Sequence, residues 1–240
     1  MAFSTNLIIH YTSSLAILMA ILDEGFKIKY CNEELRLGIG SSNTAHPMVS
    51  FCDIPLSNSQ NHFNAYGEYG IGLTKEWASK NKINPVLYID RHSLIAEIIH
   101  ELIKSNMQEA RIHRIKSCAK NYSGAMNKGN MPDSISEYRF YDEREWRFIP
   151  CREDKEFTKC KSAISLKTEI YLENKDKYNE QVSGYRLRFE PNDISYIIVK
   201  STKEVPALIN FLRKNYTCTG DQLDILLSKV CTTEQIQSDY

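Results

Sequence analysis

Thirteen residues from Tyr138 to Pro150 gather five aromatics, three acids and three arginines. At strand period, Glu143, Glu145 and Arg147 share one face, while Trp146 and Phe148 fall on the other and can anchor the strand. A carboxylate fixed on a rigid strand beside a buried Trp is a negative charge held in one place, and Glu145 is the residue so placed. The competing reading is a solvated, salt-bridged strand edge. Trp146 and Phe148 argue instead for a core-anchored strand with at least one acid aimed at something.

Three other stretches carry possible chemistry. His10-Tyr11-Thr12 ends an apolar strand. There His10 is either a strand histidine whose ring meets backbone groups or a donor to a ribose hydroxyl, with Thr12 as a second polar contact. Tyr66-Gly67-Glu68-Tyr69-Gly70-Ile71-Gly72 is neither a P-loop nor a dinucleotide fingerprint. It reads equally as a glycine-rich turn with surface tyrosines and as a site where a planar heterocycle such as nicotinamide lies against backbone between Tyr faces. From Ala110 to Pro132 there is no acid, yet Arg111, Arg114, Lys116, Lys120 and Lys128 occur. That stretch is either a solvated helix face plus loop, or a surface for phosphates or an acidic partner with Tyr122 as a base stacker. Apart from His100 on an apolar helix, where a core role is favoured, the six histidines show no metal-ligand spacing, so no metal is expected. Cys52-Asp53 is a weak nucleophile candidate.

The elements that must position these residues follow from pattern. Leu7–Tyr11 reads as a buried strand and Leu15–Leu22 as a helix capped by Thr12 or Ser13 and stopped at Gly25. Phe26–Tyr30 reads as a strand, residues 32–46 as a loop, Met48–Ile54 as a strand and the segment through Asn64 as another loop. A short helix over Lys75–Asn81 and a strand over Pro85–Ile89 precede the strongest helix. In that helix, Leu94, Ile95, Ile98, Ile99, Leu102 and Ile103 recur at helical spacing. Arg152–Lys161 reads as a turn region and Lys167–Asn179 as a loop or short helix. Tyr185–Glu190 and Ile194–Lys200 read as strands, and Glu204–Arg213 and Asp221–Val230 as helices. Thr232-Thr233-Glu234-Gln235 then caps a last turn. The expectation is one α+β domain spanning 1–240, its core over 6–200 and helices over 203–240.

Charge is balanced, with 30 Lys+Arg against 30 Asp+Glu, so no global field points to nucleic acid or an anionic membrane. Seven scattered cysteines without a Cys-x-x-Cys pair fit reduced thiols. Leu15–Leu22 is too short to span a bilayer. A cytoplasmic protein is expected.

The motifs together resemble the AbiGi family of abortive phage-resistance proteins. The resemblance runs through His10-Tyr11-Thr12, Ile21-Leu22-x-x-Gly25-Phe26, Phe51-Cys52-Asp53-Ile54-Pro55-Leu56 and Tyr66-Gly67-x-Tyr69-Gly70-Ile71-Gly72-Leu73-Thr74-Lys75-Glu76-Trp77. It continues through Asn84-Pro85-Val86-Leu87-Tyr88, Arg144-Glu145-Trp146-Arg147, Leu226-Leu227 and Thr233-Glu234-Gln235-Ile236. More distantly, the order of His10, Gly70-Ile71 and Glu145 resembles ADP-ribosyltransferases of the His-Tyr-Glu type, although Gly72 stands where poly-ADP-ribose polymerases carry Tyr.

That second resemblance implies a split β-sheet core with flanking helices and a helical C-terminal end, and NAD as co-substrate. It implies that His10 and Glu145 face one dinucleotide-sized cleft. Glu145 would stabilise the ribose oxocarbenium state and Glu143 would orient or deprotonate the acceptor. His10, Tyr11, Thr12 and Gly70 would bind NAD, with Tyr66, Tyr69 and Trp77 competing to stack nicotinamide. Arg111, Arg114, Lys116, Lys120 and Tyr122 would bind the acceptor, RNA or DNA ahead of protein. The chain would then be the toxin of a phage-defence system with a cognate antitoxin. The alternative is a non-enzymatic AbiGi-type antitoxin that binds a partner toxin, and a third reading is a hydrolase using Cys52.

Overall fold

Leu7–Thr12 forms the strand its apolar run predicts, with Ile8, Ile9 and Tyr11 buried. In the computed structural model, which describes residues 4–105, 110–126, 135–150, 165–216 and 220–239, this strand lies in the first of two units. That unit comprises Met1–Phe26, Phe51–Lys82 and Leu187–Tyr240. Leu7–Thr12 pairs antiparallel with Tyr69–Thr74, His10 opposite Ile71. Tyr69–Thr74 pairs antiparallel with Ile194–Val199, which runs parallel to Val230–Thr232.

Helices surround this sheet. Leu15–Glu24 is capped by Ser14, whose side chain accepts from the Ile17 amide, and Gly25 ends it as predicted. The cap thus falls one or two residues later than Thr12 or Ser13, where it can reach the orphan amide of the first turn. Gln60–Tyr66 is helical rather than loop, and it ends at Gly67 with φ +114°. A Cβ at Gly67 would lie 2.3 Å from the Thr12 carbonyl oxygen, so glycine is required for conformation and for space. Val205–Asn215 and Gly220–Leu227 follow, then Thr233–Asp239. The predicted last cap is present: Thr232 Oγ1 accepts from the Gln235 amide while Gln235 Oε1 accepts from the Thr232 amide. The core here joins Ile9, Tyr11, Cys52, Ile54, Phe63, Ile198 and Ile236.

The second unit comprises Lys27–Ser50 and Ile83–Arg186. Its largest feature is a β-hairpin of Lys29–Leu37 and Gly40–Cys52, in register from Lys29 opposite Met48 to Leu37 opposite Gly40. The expected loop over 32–46 is therefore strand. From Cys31 on, Cys31, Glu33, Leu35 and Leu37 are buried or half-buried while Asn32, Glu34 and Arg36 face solvent, the alternation of a half-buried strand. Tyr30, on the second face, is buried against Tyr171 and Tyr178. Leu166–Lys167 pairs with the same long strand at Ala45 and Thr44. Glu145–Phe148 lies beside it and pairs with Asn84–Pro85 on its other side.

Leu87–Ile89 runs parallel to Ala119–Asn121. Leu94–Ser105 is the predicted helix, and Ala110–Cys118, Thr168–Glu173 and Lys175–Val182 are the others. The core joins Leu35, Leu37, Ile89, Ala96, Ile103, Ile112 and Ala119. Lys128 and the Arg152–Lys161 turn region lie outside the described residues. Both units mix helix and strand, so the α+β class holds. No helix among the described residues is long and apolar enough to cross a membrane.

Candidate functional site

The segment around Glu145 differs from the single strand face expected. Glu143 closes a 3-10 turn over Phe140–Glu143, and Arg144 takes a left-handed conformation. Only Glu145–Phe148 is strand. Trp146 is half-buried rather than the core anchor, whereas Arg147 is fully buried together with Glu145 and Phe148. The inversion has an electrostatic cause, because Arg147 enters the interior with carboxylates waiting for it.

Arg147 Nε donates to Glu145 Oε1 at 2.8 Å and Nη2 to Glu145 Oε2 at 3.0 Å. Its Nη2 also meets Glu33 Oε2 at 3.0 Å, and Nη1 donates to the Ser117 carbonyl at 3.0 Å. Ser50 Oγ donates to Glu145 Oε1 at 2.7 Å and Lys120 Nζ to Oε2 at 3.0 Å. Each Glu145 oxygen therefore accepts two hydrogen bonds, which fills the roughly four lone-pair sites a carboxylate offers. Lys120 bridges onward to Glu143 Oε2 at 2.7 Å and lies over the Phe140 ring. The Tyr88 hydroxyl accepts from the Glu145 amide at 2.8 Å.

The charges here reinforce one another. Burial opposes ionisation of Glu145, but the Arg147 and Lys120 charges and the bonds from Arg147 and Ser50 outweigh it and hold the carboxyl well below its usual range. Burial likewise opposes the Lys120 ammonium, and Glu145, Glu143 and Glu33 override it. Burial pushes the nearby Cys31 thiol up to about 12. Three acids and two bases thus form one buried network, the kind whose members must all be satisfied to persist.

The expected acceptor-binding cations are largely committed inside this unit. Lys120 belongs to the network, Arg114 donates to the Ile149 carbonyl at 2.8 Å, and burial lowers the Lys116 ammonium. Arg111 is exposed. The Tyr122 ring, expected to stack a base, already stacks on Tyr141 at 5.4 Å.

The residues expected to hold NAD lie in the other unit. His10 is half-buried and sits edge-on to Phe26 and Phe51. The Tyr11 hydroxyl donates to Ser59 Oγ at 2.8 Å and Thr12 is buried. Trp77 is 2% exposed among Phe26, Phe51 and Phe189, and its Nε1 donates to the Arg188 carbonyl. It is a core residue, with no open face for a ligand. The Tyr69 hydroxyl donates to Glu204, Tyr66 is exposed beside His62, and Gly70 lets Tyr11 approach the strand closely.

A protein-family profile described as "Putative abortive phage resistance protein AbiGi, antitoxin" matches residues 25–200. The chain belongs to the AbiGi family. A curated relative, the "Abortive phage resistance protein AbiGi" of Lactococcus lactis subsp. cremoris, is 27% identical over 224 residues, covering 81% of this chain and 88% of that protein. No solved structure matches. The AbiGi resemblance read from the motifs is therefore correct. The ADP-ribosyltransferase reading is overturned, because the family is described as an antitoxin and carries no transferase description.

Sequence reasoning missed Glu33, Ser50 and Tyr88, and it gave Lys120 to an acceptor. Glu33 stood in the presumed loop, and Ser50 in a strand whose neighbours were not legible. An unusually acidic and basic segment flanked by aromatics was the one available signal.

Proposed function

We propose that this AbiGi protein is a non-enzymatic antitoxin of an abortive phage-resistance system and acts by binding a partner toxin. The observation that carries the reading is the family's antitoxin description. The Glu145 geometry supports it. A carboxylate with two protein donors on each oxygen has no lone pair left for a ribose, and its charge is already matched by Arg147 and Lys120. Such a network organises a scaffold, and a scaffold presenting surface to a partner needs that organisation more than it needs a reactive group.

Growth tests the proposal. Expressed alone, the chain should leave cells unaffected. Coexpressed with the toxin encoded beside it, the chain should restore growth. Toxicity of the chain by itself, or no relief of any neighbouring gene's toxicity, would refute it.

A further inference from the structure

The helix Leu94–Ser105 is apolar over about 200° of its circumference, only part of which is buried. At about 100° per residue, Ala96, Ile99 and Ile103 fall on one side, where they pack with Leu35, Leu37, Ile89 and Ile112. Leu94, Ile98, Leu102 and Ile95 fall within the adjoining arc of about 100°. Those four are 70%, 43%, 40% and 56% exposed. One buried face is enough to seat a helix, so the second stripe does nothing for the fold of its own unit. Contiguous apolar surface of this kind marks an interaction site.

Charge narrows the occupant. Glu101 and then Glu97 border the stripe on one side, both exposed, with Lys104 further round toward the buried face. The other side passes through Ile95 to the half-buried Ile99 and has no charge. A second copy of this chain docked antiparallel would set each flank against its own duplicate, so Glu97 and Glu101 would meet like charges. A helix with a Leu/Ile stripe and a Lys/Arg flank would instead satisfy both the apolar area and the acids.

We infer that this face of Leu94–Ser105 is the surface that docks the partner toxin, and that the toxin presents to it an amphipathic helix with a basic flank. The inference rests on the antitoxin reading and adds a location and a partner chemistry.

The test uses the full chain, the toxin encoded beside it and two helical peptides sharing one leucine stripe, one lysine-flanked and one glutamate-flanked. Ile98→Lys with Leu102→Lys should weaken toxin binding at least about tenfold while keeping a cooperative melting transition, since neither side chain belongs to the buried core. Glu97→Lys with Glu101→Lys should weaken binding of the toxin and the lysine-flanked peptide, and strengthen that of the glutamate-flanked peptide. Unchanged toxin binding in the Ile98/Leu102 variant overturns the docking face and leaves the antitoxin reading standing. Equal binding of both peptides overturns the charge assignment. Self-association lost in the Ile98/Leu102 variant identifies a second copy as the occupant and overturns the inference. No binding of wild type to the toxin sinks the inference and the antitoxin reading together.

Discussion

Arg147→Met removes the guanidinium at the centre of the buried network. Four contacts of 2.8–3.0 Å disappear: two to Glu145, one to Glu33 and one to the Ser117 carbonyl. Glu145 keeps Ser50 and Lys120, but it loses the charge nearest to it. Deleting one partner of a buried pair costs about 3–5 kcal/mol, because the remaining charge stays desolvated. In a chain of this size each kcal/mol moves the melting temperature by about 2–4 °C, so the variant should melt roughly 6–20 °C lower. Circular dichroism melts at neutral pH measure this directly. A double variant, Glu145→Leu with Arg147→Met, should lose less than the two single variants combined, by about 2 kcal/mol or more. A single-variant shift under about 2 °C, or strict additivity in the double variant, would refute the view that these charges hold each other in place.

Three further outcomes follow from the geometry. His46 is buried with Nδ1 2.6 Å from Ser165 Oγ, and burial followed by the Arg147, Lys116 and His113 charges lowers its pKa to about 3. The unfolded chain takes up a proton near pH 6.5 while the fold keeps this ring neutral. Its stabilisation is therefore complete above that value and lost as pH falls toward 3, by about 2 kcal/mol between pH 7 and 5. His46→Gln should flatten denaturation midpoints across that interval. Glu145, with its folded pKa depressed, keeps its contribution above about pH 4.5 and loses it only in stronger acid. Gly67→Ala should cost about 2 kcal/mol or more in a urea titration, because a Cβ there meets the Thr12 carbonyl at 2.3 Å. Trp77→Phe should lower the melting temperature through the lost Arg188 bond and ring contacts, with growth rescue retained wherever the protein stays folded.

Local pattern carried much of the fold. The Leu7–Thr12 strand, the Gly25 stop, the Thr232–Gln235 cap and the Leu94–Ser105 helix were all readable, because each depends on residues within a turn or two. The Lys29–Cys52 hairpin was not, since its inward face mixes Cys31 and Glu33 with Leu35 and Leu37, and the Gly, Ser and Asn around its turn read as loop. Helical spacing also found Leu94–Ser105 without saying that part of its wide apolar arc is exposed, as periodicity measures where apolar residues recur and not what covers them. The segment around Glu145 stood out by composition, but its role depended on Ser50, which lies 95 positions earlier in the chain. Without that partner and Arg147, a satisfied carboxylate and a reactive one look alike in sequence.

Copurification of the chain with the toxin encoded beside it, followed through a sizing column, tests the central claim most directly. Binding predicts one peak holding both proteins, with toxin activity suppressed in it. Separate elution of the two proteins while cells coexpressing them still recover would contradict it, because protection would then come from something other than a complex.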